Sequence, residues 1–222
     1  MLRITATAGL LVLAGATVAF ARPDLGNSHD RSLLSKQIAC GSERREVKQL
    51  LDDDAVNVAF GHGIDSTVKR MGQLKRPTET GDRQKKERRI YRVWAIFDSI
   101  PPSETSPGVK LGYKTEDNDN DIHLAIRDST GATMVVEFPN QSCTAGAQHR
   151  GDMQEARENL VRACSNKTPP RDPPQSFVEL HGSARITGVL FFDFAHHQRG
   201  KAQNVAELHP VLRVTNITCS QA

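Results

Sequence analysis

Apolar and polar positions alternate along much of the chain after residue 90. Residues 90–100 (IYRVWAIFDSI) are β-branched and aromatic; residues 121–127 place Ile122, Leu124 and Ile126 on one face, and residues 133–138 do the same with Met134, Val136 and Phe138. A period of two predicts three strands, and Asp128-Ser129-Thr130-Gly131 has the chemistry of a hairpin turn between the last two. The period then changes. From Asp152 to about Ala163 the apolar positions Met153, Ala156, Leu160 and Val161 form one stripe, which predicts a helix. Four prolines in residues 167–175 (KTPPRDPPQ) end it, because each removes an amide donor and fixes φ. Two more strands are expected at 184–194 (ARITGVLFFDF) and 206–218 (AELHPVLRVTNIT).

The expected order β-β-β-α-β-β is that of an OB-fold, a five-stranded Greek-key barrel with a helix between its third and fourth strands. Gly188, in the middle of the fourth strand, suits a bulge or barrel corner where a side chain would obstruct the bend. The alternative is a small β-sandwich with one helix.

Upstream of residue 90 the pattern is weaker. Residues 1–21 read as a signal peptide: Arg3 starts it, residues 4–20 carry no charge, and Ala19-Phe20-Ala21 supplies a small-x-small cleavage site. An uncleaved anchor is the alternative for this stretch, and no other segment is apolar enough to span a bilayer. Residues 22–39 are expected to be a flexible leader. Residues 40–89 form an N-terminal extension, with apolar patches around Val47, Leu50, Val58 and Phe60, followed by a basic linker at 75–89. The barrel domain occupies 90–222.

Composition narrows the function classes. The chain has 222 residues with 37% hydrophobic and 25% charged side chains, which excludes collagen-like, coiled-coil and wholly disordered chains. Its net charge of +3 makes a weak case for nucleic acid, since a phosphate-binding protein usually has a larger basic excess. The four cysteines show no C-x-x-C spacing, so in an exported chain they predict two disulfides. Among the three connectivities, Cys143–Cys164 across the helix and Cys40–Cys219 across the chain ends are expected. This places the protein in the periplasm or outside the cell.

The candidate chemistry lies on strands. Asp121-Ile122-His123 and Glu207-Leu208-His209 each set a carboxylate and an imidazole two residues apart, hence on one strand face. Asp193 sits in the apolar run 191–194, just before His196 and His197. Convergence of His123, Asp193, His196, Glu207 and His209 would build a ligand site. It would equally build a divalent-metal site on His123, Asp193, His196 and His209 with Glu207 as base. Each of these residues taken singly also fits a structural role, such as a buried hydrogen bond or a surface ion pair. The loop after the fourth strand offers Gln198, Arg199, Lys201 and Asn204 around Gly200, where OB-folds often grip ligands. No H-E-x-x-H, nucleophile elbow or Gly-rich phosphate loop is present. The acidic turn 116–121 (EDNDND) starts like a calcium loop, but Ile122 stands where that loop needs Gly and Asp128 where it needs Glu.

The segments ERREVK (43–48), DNDIHL (119–124), TMVVEFP (133–139) and, above all, TGVLFFDFAHHQRGKAQNVAELHPVL (187–212) resemble a group of uncharacterised bacterial exported proteins. That group carries a similar GVxFFDFxHxQxGxAxNxxELHPV stretch. Asn120 departs from it, standing where the group has a turn glycine. The resemblance implies export and relatedness and carries no catalytic residue. The leading expectation is therefore an exported, disulfide-stabilised binding module for an oligonucleotide, a glycan or a protein partner. The alternatives are a metal-assisted hydrolase such as a secreted nuclease, and a structural cell-envelope protein.

Overall fold

The alternating segments form strands, and both faces are covered over β4, β5 and the adjoining halves of β6 and β7, while Trp94 of β2 stays exposed. A computed structural model describes residues 40–78, 81–194 and 198–222; the expected signal peptide, the leader and His196 lie outside the described residues. The elements are α1 (Arg45–Lys48), β1 (Gly63–Ser66), α2 (Val68–Gly72), β2 (Ile90–Ile96), β3 (Gly112–Thr115), β4 (Ile122–Arg127), β5 (Thr133–Phe138), α3 (Arg150–Cys164), β6 (Leu180–Phe192) and β7 (Ala206–Gln221). The molecule is mainly β, with one seven-stranded mixed sheet in the order β1-β2-β6-β7-β5-β4-β3. β1–β2 and β5–β7 are parallel and the other pairs antiparallel. A further bridge, Ile96 to Arg127, joins β2 to β4, so β2, β6, β7, β5 and β4 pair in a closed circuit.

The five strands anticipated from periodicity are all present, and two short ones, β1 and β3, were not anticipated. The first expected strand stops at Ile96; beyond it Ile100 pairs with Val109 in an isolated bridge. β6 and β7 are the long strands, and their register shifts on both sides of Gly188. A Cβ at Gly188 would stand 2.9 Å from both the Leu208 Cβ and the Pro210 carbonyl oxygen, so the close crossing of β6 over β7 there needs glycine.

One sheet face builds the main core. Ile122, Leu124, Ile126, Met134, Val136, Phe138, Leu190 and Leu208 pack there with Ala156 and Leu160 of α3. The opposite face carries the alternate residues, and residues 40–60 lie over it: Leu50, Ala55 and Val58 pack on Ile90, Val189 and Leu212. α3 also buries Arg157, which donates to the Phe138 and Asn120 carbonyls and pairs with Asp172. This clamps the end of β5 to the β3–β4 turn, where Asn120 adopts a left-handed φ of 59°.

Two expectations are corrected. The disulfides are Cys40–Cys143 and Cys164–Cys219, with Cα separations of 5.4 and 5.0 Å. Cys143–Cys164 and Cys40–Cys219 do not form, because Cys143 precedes α3 and Cys164 ends it, and a 15-residue helix is about 22 Å long. Within the basic linker at 75–89, Arg83 and Glu87 are likewise buried rather than solvated. Glu87 is fully buried; its carboxylate accepts both terminal guanidinium nitrogens of Arg44, at 2.8 and 2.7 Å, and the Phe192 amide at 2.9 Å. Buried Arg83 reaches Asp52 and the Val47 carbonyl. Among the described residues no helix is long and apolar enough to cross a membrane.

Candidate functional site

The alternate positions of β4, β5 and β7 carry ionisable groups, and strand register sets them side by side. His123 lies opposite Glu137 in the β4–β5 ladder, and Val135 opposite Glu207 in the β5–β7 ladder. The result is a ladder of contacts across the covered face. His123 Nδ1 is 3.2 Å from Glu137 Oε1 and 3.2 Å from Glu116 Oε1. Glu137 Oε2 is 2.8 Å from His209 Nδ1, and His209 Nε2 is 3.3 Å from Asp121 Oδ2. His209 is fully buried, and its ring nitrogens meet these carboxylates off the hydrogen-bonding direction.

Burial alone would lower the pKa of both imidazoles, but their carboxylate partners outweigh it. Glu116 and Glu137 raise His123 to about 9, and Asp121 and Glu137 raise His209 to about 9. Glu137 is held well below the usual range: burial opposes ionisation, and the two histidines and Lys48 overcome it. Asp119 goes the other way, to about 6, through burial and the charges of Asp121 and Glu137.

Beside this ladder lies a second group around Lys48, brought in by α1. Its Nζ is 3.6 Å from Asp193 Oδ1, and burial, which would lower its pKa, is outweighed by Glu137, Asp193, Glu207 and Asp119. Phe191 supports the arrangement, with the Arg44 guanidinium 4.7 Å and Lys48 Nζ 5.4 Å from its ring centroid and the His209 ring edge-on. Glu207 is buried, and neither carboxylate oxygen has a hydrogen-bond partner among the described residues. Burial and the charges of Glu137 and Asp193 push its pKa well above the usual value.

A cleft of about 290 Å³ opens over one end of the ladder. Its lining includes His123 and Glu137, residues 116–119 of the β3–β4 turn, Lys114, Phe177, Gln198 and Arg199, with Glu43 and Lys48 on the N-terminal side. Gly200 brings the loop in: with φ at +77° and the Ala125 Cβ only 2.6 Å from where its own Cβ would stand, the chain lies directly on β4. The Arg199 carbonyl consequently sits 3.3 Å from His123 Nε2. The Arg199 guanidinium covers Phe177, 4.4 Å from its centroid, while the Phe177 ring meets His123 edge-on.

Of the five proposed site residues, His123 alone lines the cleft; Asp193, Glu207 and His209 are buried beside it, and His196 lies outside the described residues. They share one sheet face, joined through Glu137 and Lys48. The metal set His123, Asp193, His196 and His209 is not assembled among the described residues. The groups close enough to hold an ion are Glu116–His123–Glu137 and Asp121–Glu137–His209, whose ligand atoms lie within 4.8 Å of one another. In the loop, Gln198 and Arg199 reach the cleft. Lys201 lines a separate depression beside α2, and Asn204 serves the fold, donating to the Met71 and Leu74 carbonyls while accepting the Ala206 amide.

Sequence reasoning missed Glu137, Glu116 and Lys48. A signal for Glu137 was present: it is the one ionisable residue in TMVVEF, at the polar phase of a strand. Lys48 had no such signal, because its position depends on the docking of α1. No known protein family, curated protein or solved structure matches this chain, so the site stands on its own geometry.

Proposed function

We propose that the protein is an exported binding module of OB type, acting in the periplasm or outside the cell, and that its cleft takes a polyhydroxylated glycan segment. The pairing circuit β2-β4-β5-β7-β6, with α3 between its third and fourth strands, supports the architecture. The cleft lies on its second and third strands between the first and fourth connections, where OB-folds hold oligonucleotides and oligosaccharides. The signal-like start and the two disulfides support export.

The observation that selects a glycan is the charge of the lining. Glu43, Glu116, Asp117, Asp119 and Glu137 face Lys48, Lys114, Arg199 and the charged His123, five carboxylates against four cations. A polyphosphate backbone would find no net positive charge here, and the aromatic face at Phe177 is already covered by Arg199. Carboxylates, an amide and a guanidinium instead match the donors and acceptors of sugar hydroxyls.

Calorimetric titration of the oxidised mature protein with chito-oligosaccharides and peptidoglycan fragments, and with single-stranded DNA at physiological salt, tests this. Saturable glycan binding weakened at least tenfold by Arg199→Ala is expected. DNA binding without glycan binding would overturn it. A hydrolase built on Glu116, His123 and Glu137, in place of the expected His123, Asp193, His196, His209 and Glu207, predicts glycoside or phosphodiester cleavage that Glu116→Gln abolishes.

A further inference from the structure

The hydrogen positions on His123 are dictated by its surroundings. Its Nε2 lies 3.3 Å from the Arg199 carbonyl oxygen, which only accepts, so Nε2 carries a hydrogen. Its Nδ1 then faces Glu116 Oε1 and Glu137 Oε1, each 3.2 Å away and each also an acceptor. A ring nitrogen between two carboxylates holds either a proton or a metal cation. The 3.2 Å spacings are those of hydrogen bonds from a protonated Nδ1, and they admit the cation equally: two ligand atoms bound at about 2.05 Å to a tetrahedral zinc stand about 3.3 Å apart.

Independent features belong to a metal site as well. The second oxygen of Glu137 is 2.8 Å from the fully buried His209, which in turn approaches Asp121, an outer chain of the kind that orients a ligating carboxylate. On the open side the Glu116 side chain is 21% exposed to the cleft, leaving room for water or a ligand oxygen in the coordination sphere.

We propose that the floor of the cleft is a divalent transition-metal site, with His123 Nδ1 and one oxygen each of Glu116 and Glu137 as protein ligands and the remaining position turned toward the bound ligand. The donor set, one imidazole and two carboxylates, favours zinc or manganese over calcium. The site deepens the binding reading above by adding a cation where hydroxyl oxygens would arrive, but the metal is bound by protein atoms alone.

The test is calorimetric titration of zinc chloride into the oxidised mature protein, stripped with EDTA and dialysed, at pH 7.5 with no glycan present. One zinc per chain with a Kd in the micromolar range or tighter is expected. Glu116→Gln, at a partly exposed position, should weaken it at least tenfold while the metal-free protein keeps its strand signal in circular dichroism. His149→Ala, which removes an exposed imidazole beside Asp152, should leave it unaltered. Absence of zinc binding, or binding that survives Glu116→Gln and is lost in His149→Ala, overturns the site. Zinc binding without glycan binding overturns only the glycan reading, and glycan binding without zinc binding overturns only this one.

Discussion

At the scale of single residues, the buried charges on the covered sheet face differ sharply in what each contributes. Lys48 is the cation set among Asp193, Glu207, Glu137 and Asp119, so Lys48→Met should leave buried carboxylates uncompensated. A loss of about 3–5 kcal/mol is expected from urea unfolding. Glu207 is the opposite case: its carboxylate has no hydrogen-bond partner among the described residues and repels Glu137 and Asp193. Its folded pKa lies above the unfolded one, so the native state retains a proton that the unfolded chain releases. Its share of stability is therefore complete below the ordinary value of 4.5 and is lost as pH rises through the raised value. Glu207→Gln should accordingly be more stable than the natural protein at pH 8 and show a smaller advantage at pH 5. Equal differences at the two pH values, from urea midpoints, would contradict this.

At the scale of elements, the decisive feature is the long β6–β7 pair and its irregular register. Gly188 sits where that register shifts, and an added methyl meets the Pro210 carbonyl at 2.9 Å, an atom unable to swing away. Gly188→Ala should cost about 1–3 kcal/mol, visible as a lowered melting temperature with the strand signal in circular dichroism retained. Sequence periodicity reached this level well: the five long strand segments, α3 and the Asp128–Gly131 turn were legible. β1 and β3, four residues each, were not, because so few alternations cannot be distinguished from a loop. Their pairing comes from neighbouring strands.

At the scale of the whole molecule, the disulfides tie remote parts together. Cys40–Cys143 spans a sequence separation of 103 and anchors the N-terminal segment beside the β3–β4 turn; Gly41 also donates to the Asn118 carbonyl, at 3.0 Å. Peptide mapping under non-reducing conditions should recover Cys40 linked to Cys143 and Cys164 linked to Cys219. The double variant Cys40→Ser/Cys143→Ser should lose up to about 5 kcal/mol in the chain-entropy account. Because that segment carries Glu43 and Lys48 to the cleft, the same variant should also weaken ligand binding, measured by the titrations above.

The order of strands and helix, the alternation that separates Ile122, Leu124 and Ile126 from His123, and the glycine at the register shift were determined by the sequence alone. Each depends on neighbours a few residues apart or on the pleat's period of two. Which cysteines meet, which loop residues reach the cleft, and that the polar face is buried rather than wet were decided only by the tertiary structure. The alternation at His123, Glu137 and Glu207 has the form of a half-solvated strand, and it is remote segments that remove the solvent: Lys48 at Glu137 and Glu207, Phe177 and the Arg199–Gly200 loop at His123. That packing converts ordinary surface carboxylates and imidazoles into a low-dielectric cluster with altered proton affinities, a property that local spacing cannot encode.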